Sequence, residues 1–360
     1  MALLDKLFTS LNSNKGPTSS RVVGIDVGSS SIKVVEVQER NSVLTLTTYG
    51  EIQLGPYDNL GVGQTSILDA TKEQSALVDV LRESAVKAKV ATFAMPLASS
   101  FVTTMTIKAG QKEDISPRVR IEARKYIPVQ LSEVTLDWAE IETHSEVSKT
   151  ARDILLAAIQ NDSLKRFNNL MEFVNLKDTP TEIECFSSIR AVYDSDVKNV
   201  AVIDLGASYS RLYISNDGLL QRMHRVRAGG KQVTDVLAKE MDSSFQDAEF
   251  MKRTINNGDD NYDIVKKAYS SVYDRPLHEF RQVIEEYEAR TGEKVKLVYI
   301  CGSSSLFPGA AKQIKEALGR EVILTNPFKK VAYPAFMEDT ITELGPTFTT
   351  ALGAALRQFE

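Results

Sequence analysis

The stretch Gly24–Val37, GIDVGSSSIKVVEV, decides the fold. Two apolar runs, VVGID (22–26) and SIKVVEV (31–37), are joined by the four residues Val27-Gly28-Ser29-Ser30. Short apolar runs flanking a Gly/Ser cluster predict a β-hairpin with a small-residue tip. The pattern returns in VIDLGASYSRLYIS (202–215), where Asp204 follows Asp26 by 178 positions. There Val200–Asp204 is a strand, Leu205-Gly206-Ala207-Ser208 a tip and Ser210–Ser215 a second strand. Both copies read apolar, Asp-x-Gly-x-Ser, apolar. One such turn is ordinary turn chemistry. Two at matching places predict a duplicated fold with two related halves.

Outward from these hairpins, the pattern alternates strands and helices. Val43–Tyr49 reads as a third strand and 71–89 as a helix. A compact α/β stretch follows: strands VATFAM and FVTTMTIK, a helix over 113–126, strands VTLDWAEIE and ARDILLAAIQ, then an amphipathic helix capped by Asn161 or Asp162. Residues 231–294 read as mainly helical. VKLVYICG is a buried strand running into Ser303–Gly309 and a helix, EVILTNPF a late strand, and TTALGAALRQF a final helix. The implied units are 1–20 as an N-terminal segment and linker, and 21–90 with 163–193 as a first lobe. An inserted α/β subdomain spans 91–162. A second lobe takes 194–230 and 297–360, with 231–296 as its helical subdomain.

The chain has 360 residues, about two domains' worth. Hydrophobic residues make up 42% and charged ones 25%, which excludes wholesale disorder. A net charge of −5 lacks the basic footprint of a nucleic-acid binder. Two cysteines, Cys185 and Cys301, fit a reducing compartment and need not pair. No run approaches the ~20 apolar residues of a membrane span. Asp5 and Lys6 interrupt the N-terminal apolar cluster, so a secretory signal is not expected and a cytoplasmic location is. Leu3, Leu4, Leu7, Phe8 and Leu11 have helical spacing, read most simply as a short packed helix or a disordered segment, and more sharply as a membrane-surface or partner-docking helix.

The tips carry the chemistry. Glycine lets backbone approach a ligand, and successive turn N–H groups can cradle an anion. Gly28, Ser29, Ser30 and Ser31 form one cradle, Gly206, Ala207 and Ser208 the other, and Lys33 adds a positive charge. Asp26 and Asp204, at strand ends, are candidates to hold the water shell of Mg²⁺. A strand follows the first tip, so this is neither a Rossmann turn nor a P-loop. Gly302, Ser303 and Gly309 form a third cluster, read either as a plain strand-to-helix turn or as backbone lying against a base or sugar. His144, His224 and His278 lack metal-ligand spacing. Arg222, Arg225 and Arg227 read as a solvated edge strand, and Trp138 as core or groove.

This order of motifs resembles the actin-like ATPase superfamily across the chain after residue 20. The resemblance implies a duplicated actin-like (ribonuclease H-like) ATPase fold, with phosphate motifs at Asp26–Lys33 and Asp204–Ser210 and an adenosine motif at Ile300–Gly309. Gly229, Gly230 and Thr234 match the pattern beside the phosphates. Glu249 and Lys252 match an Ala-Glu-x-x-Lys element that contacts ribose and base in relatives; the simpler reading is a surface ion pair. EARKYIPVQLSEVTLDW (122–138), TEIECFSSIRA (181–191), the 229–253 run, YICGSSSLFPG (299–309) and TALGAALR (350–357) are similar to the PilM family of cytoplasmic type IV pilus assembly proteins. That implies ATP and Mg²⁺ between the halves, at most weak ATPase activity, and a PilN-like inner-membrane partner bound through its N-terminal peptide, with self-association left open. Membrane association then comes through the partner alone. Glu182 and Glu184, on one face if strand alternation holds, are the candidates to position water. The alternatives are an FtsA-like cell-division relative and a small-molecule kinase. The kinase reading lacks a base-bearing motif, and an FtsA-like protein is expected to continue past 360 into a linker and amphipathic helix.

Overall fold

The computed structural model describes residues 20–110, 113–141, 151–178 and 182–359. The expectations for the N-terminal segment and for His144 lie outside these residues.

In the first half, β1 (Arg21–Val27), β2 (Ser31–Arg40) and β3 (Val43–Gln53) form an antiparallel meander, followed by α1 (Ala70–Glu83) and β4 (Val90–Met95). Then come β5 (Ser100–Lys108), α2 (Ser116–Ala123), β6 (Val134–Ile141), β7 (Ala151–Gln160) and α3 (Asn161–Phe173). Two short strands, β8 (Lys177–Asp178) and β9 (Glu182–Ile183), lead into α4 (Glu184–Val192). The second half opens with β10 (Asn199–Leu205), β11 (Ser210–Asn216) and β12 (Leu219–Val226). Helices α5 (Gly230–Glu240), α6 (Phe245–Thr254) and α7 (Tyr262–Thr291) follow. The chain closes with β13 (Leu297–Cys301), α8 (Ala310–Leu318), β14 (Val322–Leu324), α9 (Glu338–Leu344) and α10 (Thr349–Leu356).

The duplication is topological as well as sequential. The first sheet runs β3-β2-β1-β4-β8, with β9 also on β4, and the second runs β12-β11-β10-β13-β14. In each, three antiparallel strands are extended by parallel ones. The register repeats too: Asp26 faces Lys33, and Asp204 faces Arg211. The expected insertion boundary at residue 91 falls inside β4, which pairs in parallel with β1 and so belongs to the first sheet. The inserted sheet is β5-β7-β6. Its central strand is buried on both faces. Ile154, Leu156 and Ala158 pack toward α2, while Leu155, Ala157 and Ile159 join the main core, as the two-residue side-chain period requires.

Several expected elements are shorter. The helix expected over 71–89 ends at Glu83, where Ala85 turns with φ of 50°. The helix over 113–126 contracts to α2, and the late strand to β14. Neither Asn161 nor Asp162 caps α3; Gln160 holds that position. Asn161 instead donates from Nδ2 to the Ser132 carbonyl and accepts from Thr135 Oγ1, tying the helix to β6.

The halves are joined by two buried helices. Every residue of α4 and of α10 is buried. α10, TTALGAAL, meets its burial with apolar or small residues all round, whereas α4 also buries Glu184 and Arg190, each held by an ion pair. α10 packs on β1 and β2 of the first sheet, and α4 touches β11 and β12 of the second. They meet backbone to backbone: a Cβ at Gly353 would lie 1.8 Å from the Ser187 carbonyl oxygen. A Cβ at Gly24 would lie 2.0 Å from the Ala351 carbonyl oxygen.

Helix propensity alone favours alanine over mid-helix glycine by about 0.5–1 kcal/mol. Here the contact reverses the sign. Gly353→Ala is expected to destabilise the protein by about 1–3 kcal/mol or more, the usual range of overpacking, seen as a lowered thermal midpoint. An unchanged or raised midpoint contradicts this packing.

Candidate functional site

The two tips close identical turns. Gly28 N–H donates to the Ser31 carbonyl at 2.9 Å, and Gly206 N–H to the Tyr209 carbonyl at 3.1 Å. Across the gap between the halves the tips meet, Ser29 Oγ lying 2.9 Å from Ser208 Oγ. Behind them is a charged cleft of about 840 Å³ including its mouth. Gly28, Ser29, Ser30, Ser31 and Lys33 line it from the first half. Gly206, Ala207, Ser208, Gly230, Gly302 and Ser303 line it from the second, with Asp26, Asp204 and Glu184 on its walls.

The second tip is held from behind. Gly230 N–H donates to the Gly206 carbonyl at 3.0 Å and Lys231 N–H to the Ala207 carbonyl at 2.9 Å. A Cβ at Gly229 would lie 2.4 Å from the Ala207 carbonyl oxygen, so this residue supports the tip and does not line the cleft. Gly302 has φ of 84°, and its Cβ position lies 2.5 Å from the Leu205 carbonyl oxygen. Both facts require glycine. Gly309 lies outside the cleft; it starts α8 in a left-handed turn against Tyr262.

The charges are paired across the strands. Lys33 Nζ donates to Ser31 Oγ at 2.7 Å and sits 3.4 Å from Glu51. Burial opposes its charge, but Glu51 and Asp26 outweigh burial and hold its pKa above the usual lysine value. Burial pushes the Asp26 carboxyl up, with Asp204 adding to the shift against Lys33. Arg211 NH1 donates to Asp204 Oδ2 at 2.8 Å, and its Nε lies 3.2 Å from Glu184 Oε1. Glu184 also accepts the Leu97 N–H at 2.7 Å. Burial, helped by Asp26 and Asp204, pushes its pKa up to about 7 despite Arg211.

The two candidate glutamates part company. Strand alternation fails because the strand ends at Ile183 and Glu184 begins a helix. Glu184 faces the cleft. Glu182 turns into the interior and accepts from Ser187 Oγ at 2.6 Å and Arg190 NH1 at 2.5 Å, with Arg357 NH1 at 3.6 Å. Burial raises its pKa, but Arg190 and Arg357 outweigh that and hold it below the ordinary value. Its neighbours give it a structural setting.

Glu249 and Lys252 sit where the charged cleft opens into a second chamber, lined in part by Ile255, Leu306, Phe307, Leu344 and Phe348. Glu249 is 3% exposed, too buried for a simple surface pair. It accepts from Thr234 Oγ1 at 2.5 Å, Lys252 Nζ at 2.6 Å and Arg253 Nε at 2.6 Å. His224 pairs with Glu279 at 3.2 Å, and Arg225 stacks over Tyr209. Cys185 and Cys301 are both free and buried. Sequence reasoning passed over Arg211. The signal was present, because Arg211 follows Asp204 by seven positions, as Lys33 follows Asp26.

A model of the family described as type IV pilus assembly protein PilM matches residues 24–359. The solved PilM-PilN type IV pilus biogenesis complex contains a chain similar to this one: TM-score 0.79, 22% identity, covering 96% of this chain and 100% of that one. MreB 5 of Spiroplasma citri bound to AMPPNP shares the fold at a TM-score of 0.53 and 10% identity, covering 94% of this chain and 96% of that one. The cell division protein FtsA of Rhizobium meliloti (strain 1021) is 26% identical over 192 residues, 46% of this chain. That match spans 42% of the FtsA chain, less than half its length. The fold is therefore that of the actin-like ATPases.

Removing one partner of a buried ion pair costs about 3–5 kcal/mol. Glu182→Gln should lose stability of that order at pH 7. Because the folded pKa lies below the ordinary glutamate value, the ionised glutamate stabilises above that ordinary value, and the benefit fades as pH falls through the folded pKa. The gap between wild type and Glu182→Gln in denaturant unfolding should shrink in acid. A gap independent of pH contradicts the buried pair.

Proposed function

The chain belongs to the family of the type IV pilus assembly protein PilM, and from that membership we propose that it binds a nucleoside triphosphate between its two halves. The observation that carries the reading is the pair of matching turns meeting at Ser29 and Ser208. Their backbone donors and Lys33 suit a polyphosphate, since turn N–H groups and fixed cations favour anions. The adjoining apolar chamber suits a base, with Glu249 and Lys252 at its entrance for the ribose and Gly302-Ser303 giving close backbone approach. The relative bound to AMPPNP supports this assignment by analogy of fold.

A Mg²⁺ brought in with ATP would meet Asp26, Asp204 and Glu184 on the cleft walls. Among the described residues no group of three or more His, Cys, Asp or Glu side chains is placed to hold a metal directly. Asp204 and Glu184 already share a guanidinium. These residues fit a directly held metal poorly. Glu184 lines the cleft, and we assign to it the holding of a water and any hydrolysis. Its burial and its ion pair with Arg211 agree with slow turnover, so closure of the halves on the ligand is the working output.

By family, the protein acts in type IV pilus assembly from the cytoplasmic face. The solved relative is a complex with PilN; the N-terminal peptide of a PilN-like inner-membrane protein is the proposed partner, and it would bring the protein to the membrane. No helix among the described residues is long and apolar enough to cross a membrane.

A ligand that binds only the folded state stabilises by about 2.7 kcal/mol at one hundred times its Kd. Millimolar ATP should therefore raise the thermal midpoint of wild type by several degrees. Lys33→Gln should lose most of that increase while remaining folded. No shift with ATP or ADP in folded wild type contradicts the reading.

A further inference from the structure

We propose that Arg211 supplies from within the protein the positive charge that a divalent cation would bring to this cleft, so that a nucleoside polyphosphate binds here without a metal. The inference rests on the nucleotide reading above.

Position is the first argument. Register sets Arg211 directly across from Asp204, as Lys33 is set across from Asp26. Each acidic strand end thus has its own cross-strand cation. Without Arg211, Asp204 and Glu184 would face each other and Asp26 with too little positive charge, the arrangement that recruits a divalent ion. With it, one guanidinium spans Asp204 on β10 and Glu184 at the start of α4. A fork of five donors matches carboxylate oxygens, and its charge is not titratable in proteins. Asp204 Oδ2, one of the oxygens that would hold a hydrated cation, is thereby engaged.

Direction is the second. The guanidinium lies under the second tip: a Cβ at Gly206 would sit 3.3 Å from Arg211 NH1. Its charge is therefore placed against the backbone proposed to cradle phosphate. Arg211 Nε is fully buried yet makes no hydrogen bond, although Glu184 Oε1 is 3.2 Å away. A buried donor left unpaired is costly, and an oxygen acceptor entering the cleft can satisfy it. Arginine is suited to this task because its planar fork pairs with phosphate as readily as with carboxylate.

The test is titration calorimetry of the full chain with ATP, once in excess EDTA and once in millimolar Mg²⁺. Wild type is expected to bind in both, with Kd values within about 3-fold, less than 1 kcal/mol apart. Arg211→Ser should weaken binding in EDTA by about 10-fold or more and regain it with Mg²⁺, while Arg211→Lys keeps most metal-free binding. Wild type that binds in Mg²⁺ but not in EDTA overturns this inference and leaves the nucleotide reading standing. Binding in neither condition overturns both. The wild-type comparison needs no variant to fold.

Discussion

The contact of Gly353 with the Ser187 backbone sets the rest of the molecule. It lets α10 and α4 cross with their main chains touching. α10 lies on the first sheet while α4 begins at the cleft with Glu184, so the crossing fixes how far apart the two halves stand. The result is that two turns 178 positions apart meet through their serines. Arg190, buried beside this crossing, donates to Glu182 and to the Gly353 carbonyl at 3.3 Å, adding a polar tie between the helices.

The fold was legible in the sequence because its two signals are local. Apolar strands around an Asp-x-Gly tip need no tertiary information, and the repeat supplies the rest. The inserted sheet was legible in outline, but its boundary was not, since whether VATFAM pairs with β1 or with β5 is a long-range fact. Glu182 and Glu184 show the limit most clearly. Alternation was sound reasoning for a strand, but one residue of strand beyond Glu182 and a turn into helix sent the two side chains to opposite fates. Gly309 and Gly229 were expected at the site from the family resemblance; the first forms a turn outside the cleft and the second braces a tip. Arg211 was overlooked because attention fell on glycines and serines, although aligning the repeats places it opposite Asp204.

Family membership and cleft geometry converge on one account. A protein of the PilM family presents two matched hairpins, two cross-strand acid–cation pairs and an adjoining apolar chamber, an arrangement suited to an elongated ligand with an anionic end. Such a ligand touches both halves, so its binding energy bears directly on how they are set relative to each other. In the reading proposed above, that coupling rather than catalytic turnover is the output.

Amide hydrogen exchange followed by mass spectrometry, with and without ATP, tests the central claim most directly. The account predicts that peptides carrying Gly28–Ser31 and Gly206–Tyr209 gain protection together on ATP addition, along with Gly302–Ser304. Protection confined to one hairpin, or absent from both in a chain that binds ATP, would contradict a clamp formed by the two halves.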